Sequence, residues 1–158
     1  MSADILLGDV SVGTELPVLE KLVKPVTVVL GAMASRDWRP QHHDYKFATG
    51  NNGLDDIIMN TPNLAAWFER YVTDWTGPKG RIGRIKFRMK DSVYPGDTMQ
   101  FAGKVTGVEP GAGGVGWVDV SIELSAGDKS CVGCEARVAI PESAEANPWS
   151  LKGDAWKP

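Results

Sequence analysis

Cysteine and histidine each occur only twice in 158 residues, and that scarcity removes several classes of protein at once. Two thiols cannot build a disulfide framework, so the expected compartment is the reducing cytoplasm. Positive charge is not in excess: the formal net charge is −3 and the sequence pI is near 5.4. That balance argues against a nucleic-acid-binding module. No apolar run reaches the roughly 18 residues of a membrane span. The start, Met1 to Ile5, lacks the basic residues and apolar stretch of a signal peptide. Internal repeats and low-complexity segments are also missing.

What remains is an ordinary globular composition, 42% apolar and 23% charged, with six tryptophans. It is enough for one domain with its own core. The reading divides the chain into a lead-in over 1–24, a domain over 25–141 and a polar tail over 142–158. The tail carries Trp149 and Trp156 and is expected to pack outside the core or on a partner.

One helix stands out. Leu64, Trp67, Phe68, Tyr71, Val72 and Trp75 recur at helical spacing, after Thr61 as N-cap and Pro62 at the first helical position. Gly77-Pro78 ends it after about three to four turns. Upstream, Val26 to Ser35 is apolar, and strand and short helix both remain open. Arg36 to Asn60 reads as a long polar loop, a kind of segment that is usually functional or disordered.

Downstream the period changes to two. Ile85, Phe87 and Met89 alternate with Arg84, Lys86, Arg88 and Lys90. Three more such runs follow, from Met99, from Trp117 and from Val132, each separated by turn-forming residues. These predict four strands in an antiparallel meander with one apolar face. A helix with a broad apolar stripe and a one-faced sheet must bury each other, so the expected class is α+β, a single domain with the sheet curled around one long central helix.

Several chemical-looking patterns fail on context. Gly111-Ala-Gly113-Gly-Val-Gly116 spells a dinucleotide fingerprint, but a strand follows it where a helix is required, and a hairpin loop is expected. Cys131-Val-Gly-Cys134 has neither a helix N-terminus for redox work nor further ligands for zinc. Cys134 is read as a small core residue and Cys131 as incidental. The row from Arg84 to Lys90 reads as a solvated outer sheet face. His42-His43-Asp44 makes a poor metal site, and no metal is expected. The HHxxxD pattern of CoA-dependent acyltransferases would need Asp where Phe47 stands.

The surviving constellation is Asp37-Trp-Arg-Pro-Gln-His42-His43-Asp44, with Ala48 beyond it. Here the chain resembles the MaoC-like hot-dog hydratases and dehydratases of acyl thioesters. Their motif runs Asp, any residue, Asn, Pro, an aliphatic, His, any residue, Asp, then Ala four residues later. Asp37, Pro40, His42, Asp44 and Ala48 match in register. Arg39 stands where Asn is usual, Gln41 where an aliphatic is usual, and Arg36 where Gly often precedes the Asp. Val12 to Pro17 looks like the family's opening, and Val93 to Asp97 like the turn before its later strands. Within the family, Arg36-Asp37, His42-His43-Asp44 and Tyr71 to Trp75 are similar to the small subunit of actinobacterial enoyl-CoA hydratases acting on steroid side chains.

The resemblance implies a hot-dog fold and hydration of a 2-enoyl-CoA thioester, or the reverse dehydration, with no cofactor beyond the CoA of the substrate. Such addition needs a base for water and an acid for the α-carbon, each worth about 10²–10⁴-fold. It assigns Asp37 as the water-activating base and His42 as its partner in proton delivery. The enolate-like intermediate needs fixed donors, which the free N–H groups at the helix start supply. Met59, Asn60 and Thr61 occupy that region, and with His43 they are the candidate substrate-binding residues. His43 and Asp44 also shape the loop.

Two other functions compete. A thioesterase on the same fold would release free thiol. A non-catalytic subunit would complete a partner's acyl pocket. A curled sheet leaves edge strands that must be paired or covered, so a homodimer or a heteromer with a second MaoC-like chain is expected. Gly50 to Asp56 is the expected opening of the acyl tunnel.

Overall fold

The apolar stripe around Leu64 and Phe68 winds into one long helix, α3 (Thr61–Thr76), in the computed structural model, which describes residues 5–158. The first four residues of the expected leader-free start lie outside the described residues. The cap of α3 is Asn60, one residue before the expected Thr61. Its Oδ1 accepts the Asn63 N–H at 3.3 Å, which leaves Thr61 as the first helical residue. Both residue types cap well, and Asn ranks above Thr.

Five strands complete the fold: β1 (Leu19–Leu22), β2 (Arg81–Met89), β3 (Thr98–Pro110), β4 (Val115–Ala126) and β5 (Lys129–Pro141). All pairings are antiparallel, in the order β1-β3-β4-β5-β2. Two expectations change here. The lead-in contributes a strand, and only β3-β4-β5 form a meander. Strand β2 pairs with the far side of β5, setting Ile85 opposite Ala136 and Phe87 opposite Cys134. The segment after β2 is too long for a tight hairpin. It carries the chain to the opposite edge, where Val23 exchanges backbone bonds with Gly96 and Asp97.

The inner face of the sheet closes on α3. Phe68 is fully buried, edge-on to Phe101 at 5.3 Å and stacked on Phe87 at 5.9 Å. Losing such a ring typically costs about 3–5 kcal/mol. Met99, Val105, Val120, Ile122, Leu124 and Val138 fill the remaining space. Cys131 corrects an expectation: it is as buried as Val132 beside it, taking the extra position where the β4–β5 register shifts between Leu124 and Ser125. Arg84, Lys86, Arg88 and Lys90 face outward and are exposed. Gly111 to Gly114 form the hairpin loop between β3 and β4.

The tail packs on the outer face of the sheet. Trp156 meets Trp117 at 4.8 Å, and the Arg81 guanidinium lies 3.6 Å from the Trp156 ring centroid. Arg81 also donates to the Pro148 and Leu151 carbonyls.

The two open stretches before α3 are helical. Val26 to Ala34 belongs to α1 (Pro25–Ala34), with Val28 and Ala32 buried. The expected polar loop holds a short 3-10 turn, Pro40–His42, and a second helix, α2 (Tyr45–Asn52). Helix α2 buries only Ala48, so its ends do the holding. Asp44 accepts the Phe47 N–H at one end, and Gly53, at φ 65°, closes the other.

Candidate active site

The site begins with the way α1 stops. The Arg36 N–H donates to Met33 O and the Asp37 N–H to Ala32 O, the paired bonds of a Schellman ending. That ending requires a left-handed residue, and Arg36 takes it at φ 56°. Glycine is the residue that fills such a position without a Cβ penalty. The turn delivers Asp37 at a fixed point beyond the helix.

Helix α1 comes this close to the head of α3 because residue 31 is glycine. A Cβ there would lie 1.9 Å from Asn63 Nδ2, and that amide instead donates to Thr27 O at 3.1 Å. The crossing brings Ser35 and Asp37 onto Asn60. Asn60 is buried, and its Nδ2 donates to Ser35 Oγ at 2.7 Å and to Asp37 Oδ2 at 3.2 Å.

His42 arrives from the 3-10 turn and is 3% exposed. Its Nδ1 lies 2.7 Å from Ile58 O. A carbonyl only accepts, so Nδ1 carries a proton and donates it there, and the ring turns its Nε2 towards Asp37. Nε2 stands 3.4 Å from Asp37 Oδ2, with the Asp37 side chain 23% exposed. That separation is longer than an ordinary N–H···O bond.

Burial is the largest single influence on the Asp37 carboxyl and pushes its pKa up. The Asn60 amide, the Arg39 backbone N–H and the charges of His42 and Arg39 together outweigh it, so the group is held below its ordinary 3.8. It is a carboxylate at neutral pH.

The other expected residues divide. Met59 is buried in the core and its N–H is taken by Val93 O, so it has no free donor. At the head of α3, the Leu64 N–H goes to Asn60 O and the Asn63 N–H to Asn60 Oδ1. Pro62 has no N–H. Thr61 is therefore the first-turn residue whose N–H the helix itself leaves unused. The Thr61 hydroxyl turns to Met89 Sδ at 3.4 Å. His43 is exposed, and its N–H closes the turn on Pro40 O. Ser35 and Gly31 were not among the expected site residues. Among the described residues, no group of three or more His, Cys, Asp or Glu is arranged to hold a metal ion.

An antiparallel sheet curled around one long helix defines a class, the hot-dog domains, and here a carboxylate and an imidazole converge at the head of that helix. The chain belongs to the MaoC-like domain family, which its residues 11–125 match. Over 100 residues it is 39% identical to the beta subunit of 3-oxo-4,17-pregnadiene-20-carboxyl-CoA hydratase of Mycobacterium tuberculosis, spanning 63% of this chain and 77% of that one. A chain of the ChsH1-ChsH2 complex from the same organism superposes with a TM-score of 0.76 and 31% identity, covering 82% of this chain and 98% of that one. The R-hydratase PhaJ1 of Pseudomonas aeruginosa shares the fold, with a TM-score of 0.77, 20% identity, and coverage of 94% and 97%.

Proposed function

We propose that this chain hydrates the double bond of a 2-enoyl-CoA thioester, or dehydrates the 3-hydroxyacyl product, on a bulky acyl group derived from a steroid side chain. The observation that carries the reading is the meeting of Asp37 and His42 beside the head of α3. Water oxygen bonds to the β-carbon while one water proton passes to the Asp37–His42 pair. The electron pair of the double bond moves towards the thioester oxygen, for which the reading assigns the Thr61 N–H at the positive end of the helix as donor. The pair then returns the proton to the α-carbon. The inventory closes on water and these two side chains, so the step calls for no cofactor besides the CoA carried by the substrate. We place the reaction in the cytoplasm.

The mycobacterial relatives are named as a subunit and as a two-protein complex, which supports a second, different MaoC-like chain as partner. Among the described residues strand β2 ends the sheet, and its outer edge offers a place for that chain. The same names support the second reading, in which this chain shapes a partner's acyl pocket and the partner does the chemistry.

The test is loss of enoyl absorbance on a panel of enoyl-CoAs, with the chain alone and co-expressed with a second MaoC-like chain. Activity that disappears in Asp37→Asn supports the hydratase. A complex that stays fully active with Asp37→Asn assigns the chemistry to the partner. Release of free thiol identifies a thioesterase.

A further inference from the structure

We infer that Ser35 is a positioning residue: through the Asn60 amide it determines how the Asp37 carboxylate is presented to His42. The inference rests on Asp37 being the base of the proposed hydration. Its geometric part stands without that role.

The direction of every bond in this chain follows from groups that only accept. Ser35 Oγ lies 2.8 Å from Gly31 O and 3.2 Å from Ala32 O, so the hydroxyl proton must point back into α1. That leaves the Ser35 lone pairs facing Asn60, whose Nδ2 is 2.7 Å away. Asn60 Oδ1 is occupied by the Asn63 N–H, which fixes the amide against flipping. The second Nδ2 hydrogen then falls on Asp37 Oδ2, the same oxygen that faces His42 Nε2.

Ser35 is exposed and touches no reacting atom, so its effect reaches the site only through Asn60. Without its oxygen the amide loses its shorter acceptor and its hold on Asp37 loosens. The groups facing Asp37 are Asn60 from α3, His42 from the 3-10 turn and Arg39 from the connecting segment. Ser35 adds no charge of its own. Its removal is therefore read as a change in how well Asn60 counters the burial of the carboxyl.

The experiment has two readouts. Carbon-13 NMR titration of the Asp37 carboxyl is made on wild type, Ser35→Ala, Ser35→Thr, Asn60→Ala and the Ser35→Ala/Asn60→Ala pair, with hydration kinetics on the same proteins. In Ser35→Ala the Asp37 midpoint rises, and kcat falls about 3–10-fold, the worth of one neutral hydrogen bond. KM changes less, and Ser35→Thr restores both. In the Asn60→Ala background, Ser35→Ala adds nothing further. An Asp37 midpoint that moves in Asn60→Ala but not in Ser35→Ala overturns the inference, as do effects that simply multiply in the double variant. If the wild type hydrates no enoyl thioester, the function proposed above fails, and the titration still decides the part played by Ser35.

Discussion

Asp37 Oδ2 and His42 Nε2 stand 3.4 Å apart, and each is held from behind. The Asn60 amide holds the carboxylate, and the Ile58 carbonyl holds the imidazole. One partner is the cap of α3 and the other belongs to the segment leading into it. The site is thus assembled around the start of the longest helix.

The first prediction concerns acid. The Asp37 pKa is lowered in the folded state, so its ionised form contributes stability above the ordinary value of 3.8. That contribution is lost as pH falls through the lower folded value. Thermal unfolding of wild type and Asp37→Asn from neutral pH downward should show wild type losing stability relative to the variant below about pH 3.8. A pH-independent difference between the two proteins contradicts the assignment.

Arg36 carries the conformational cost of the left-handed turn that ends α1. At φ 56°, a side chain costs roughly 1–2 kcal/mol compared with an unstrained residue. Arg36→Gly removes the Cβ at the end of α1 and should raise stability by about 1 kcal/mol, measured by denaturant unfolding. Activity should persist, since the Ala32 and Met33 carbonyls still set Asp37.

Gly31 acts through space instead. A methyl group there would press on Asn63 Nδ2 at 1.9 Å and Cγ at 2.4 Å. Gly31→Ala should separate α1 from the head of α3 and cost about 1–3 kcal/mol. Because Ser35 and Asp37 ride on α1, kcat should fall with it. A variant with unchanged unfolding and unchanged kcat would show that the close crossing does not position the site.

The two thiols should be silent in the folded protein. Burial pushes the Cys134 pKa up to about 12 and raises that of Cys131 as well. At pH 8 the Cys134 thiolate fraction is on the order of 1 in 10⁴. A disulfide-exchange reagent should titrate both thiols only after denaturant is added. Rapid reaction of either in the native state would contradict their placement in the core.

The parts legible in the sequence are those written by local periodicity. The α3 stripe and the alternation in β2 to β5 each follow from burying one face. Strand order did not follow, because β2 chooses β5 through contacts some fifty residues away, such as Phe87 opposite Cys134. Helix α2 was missed because one buried alanine makes no stripe, although Asp44 and Gly53 mark its two ends. Asp37 and His42 stood out by their motif, whereas Ser35 carries no pattern at all. It acts across 25 positions on Asn60, a relation that only the crossing of α1 and α3 creates. Arg36 was visible as a departure from the family's usual glycine, and the left-handed turn supplies the reason that glycine is common there.

The central claim is that Asp37 and His42 act as one unit on one water. Its most direct test is enoyl-CoA hydration by wild type, Asp37→Asn, His42→Gln and the double variant, each in whatever assembly is active. The account predicts a loss of about 10²–10⁴-fold in kcat for each single variant, and a double variant far less impaired than the product of the two losses. A double variant whose loss equals the product of the two single losses would contradict it, as would single variants that stay within tenfold of wild type.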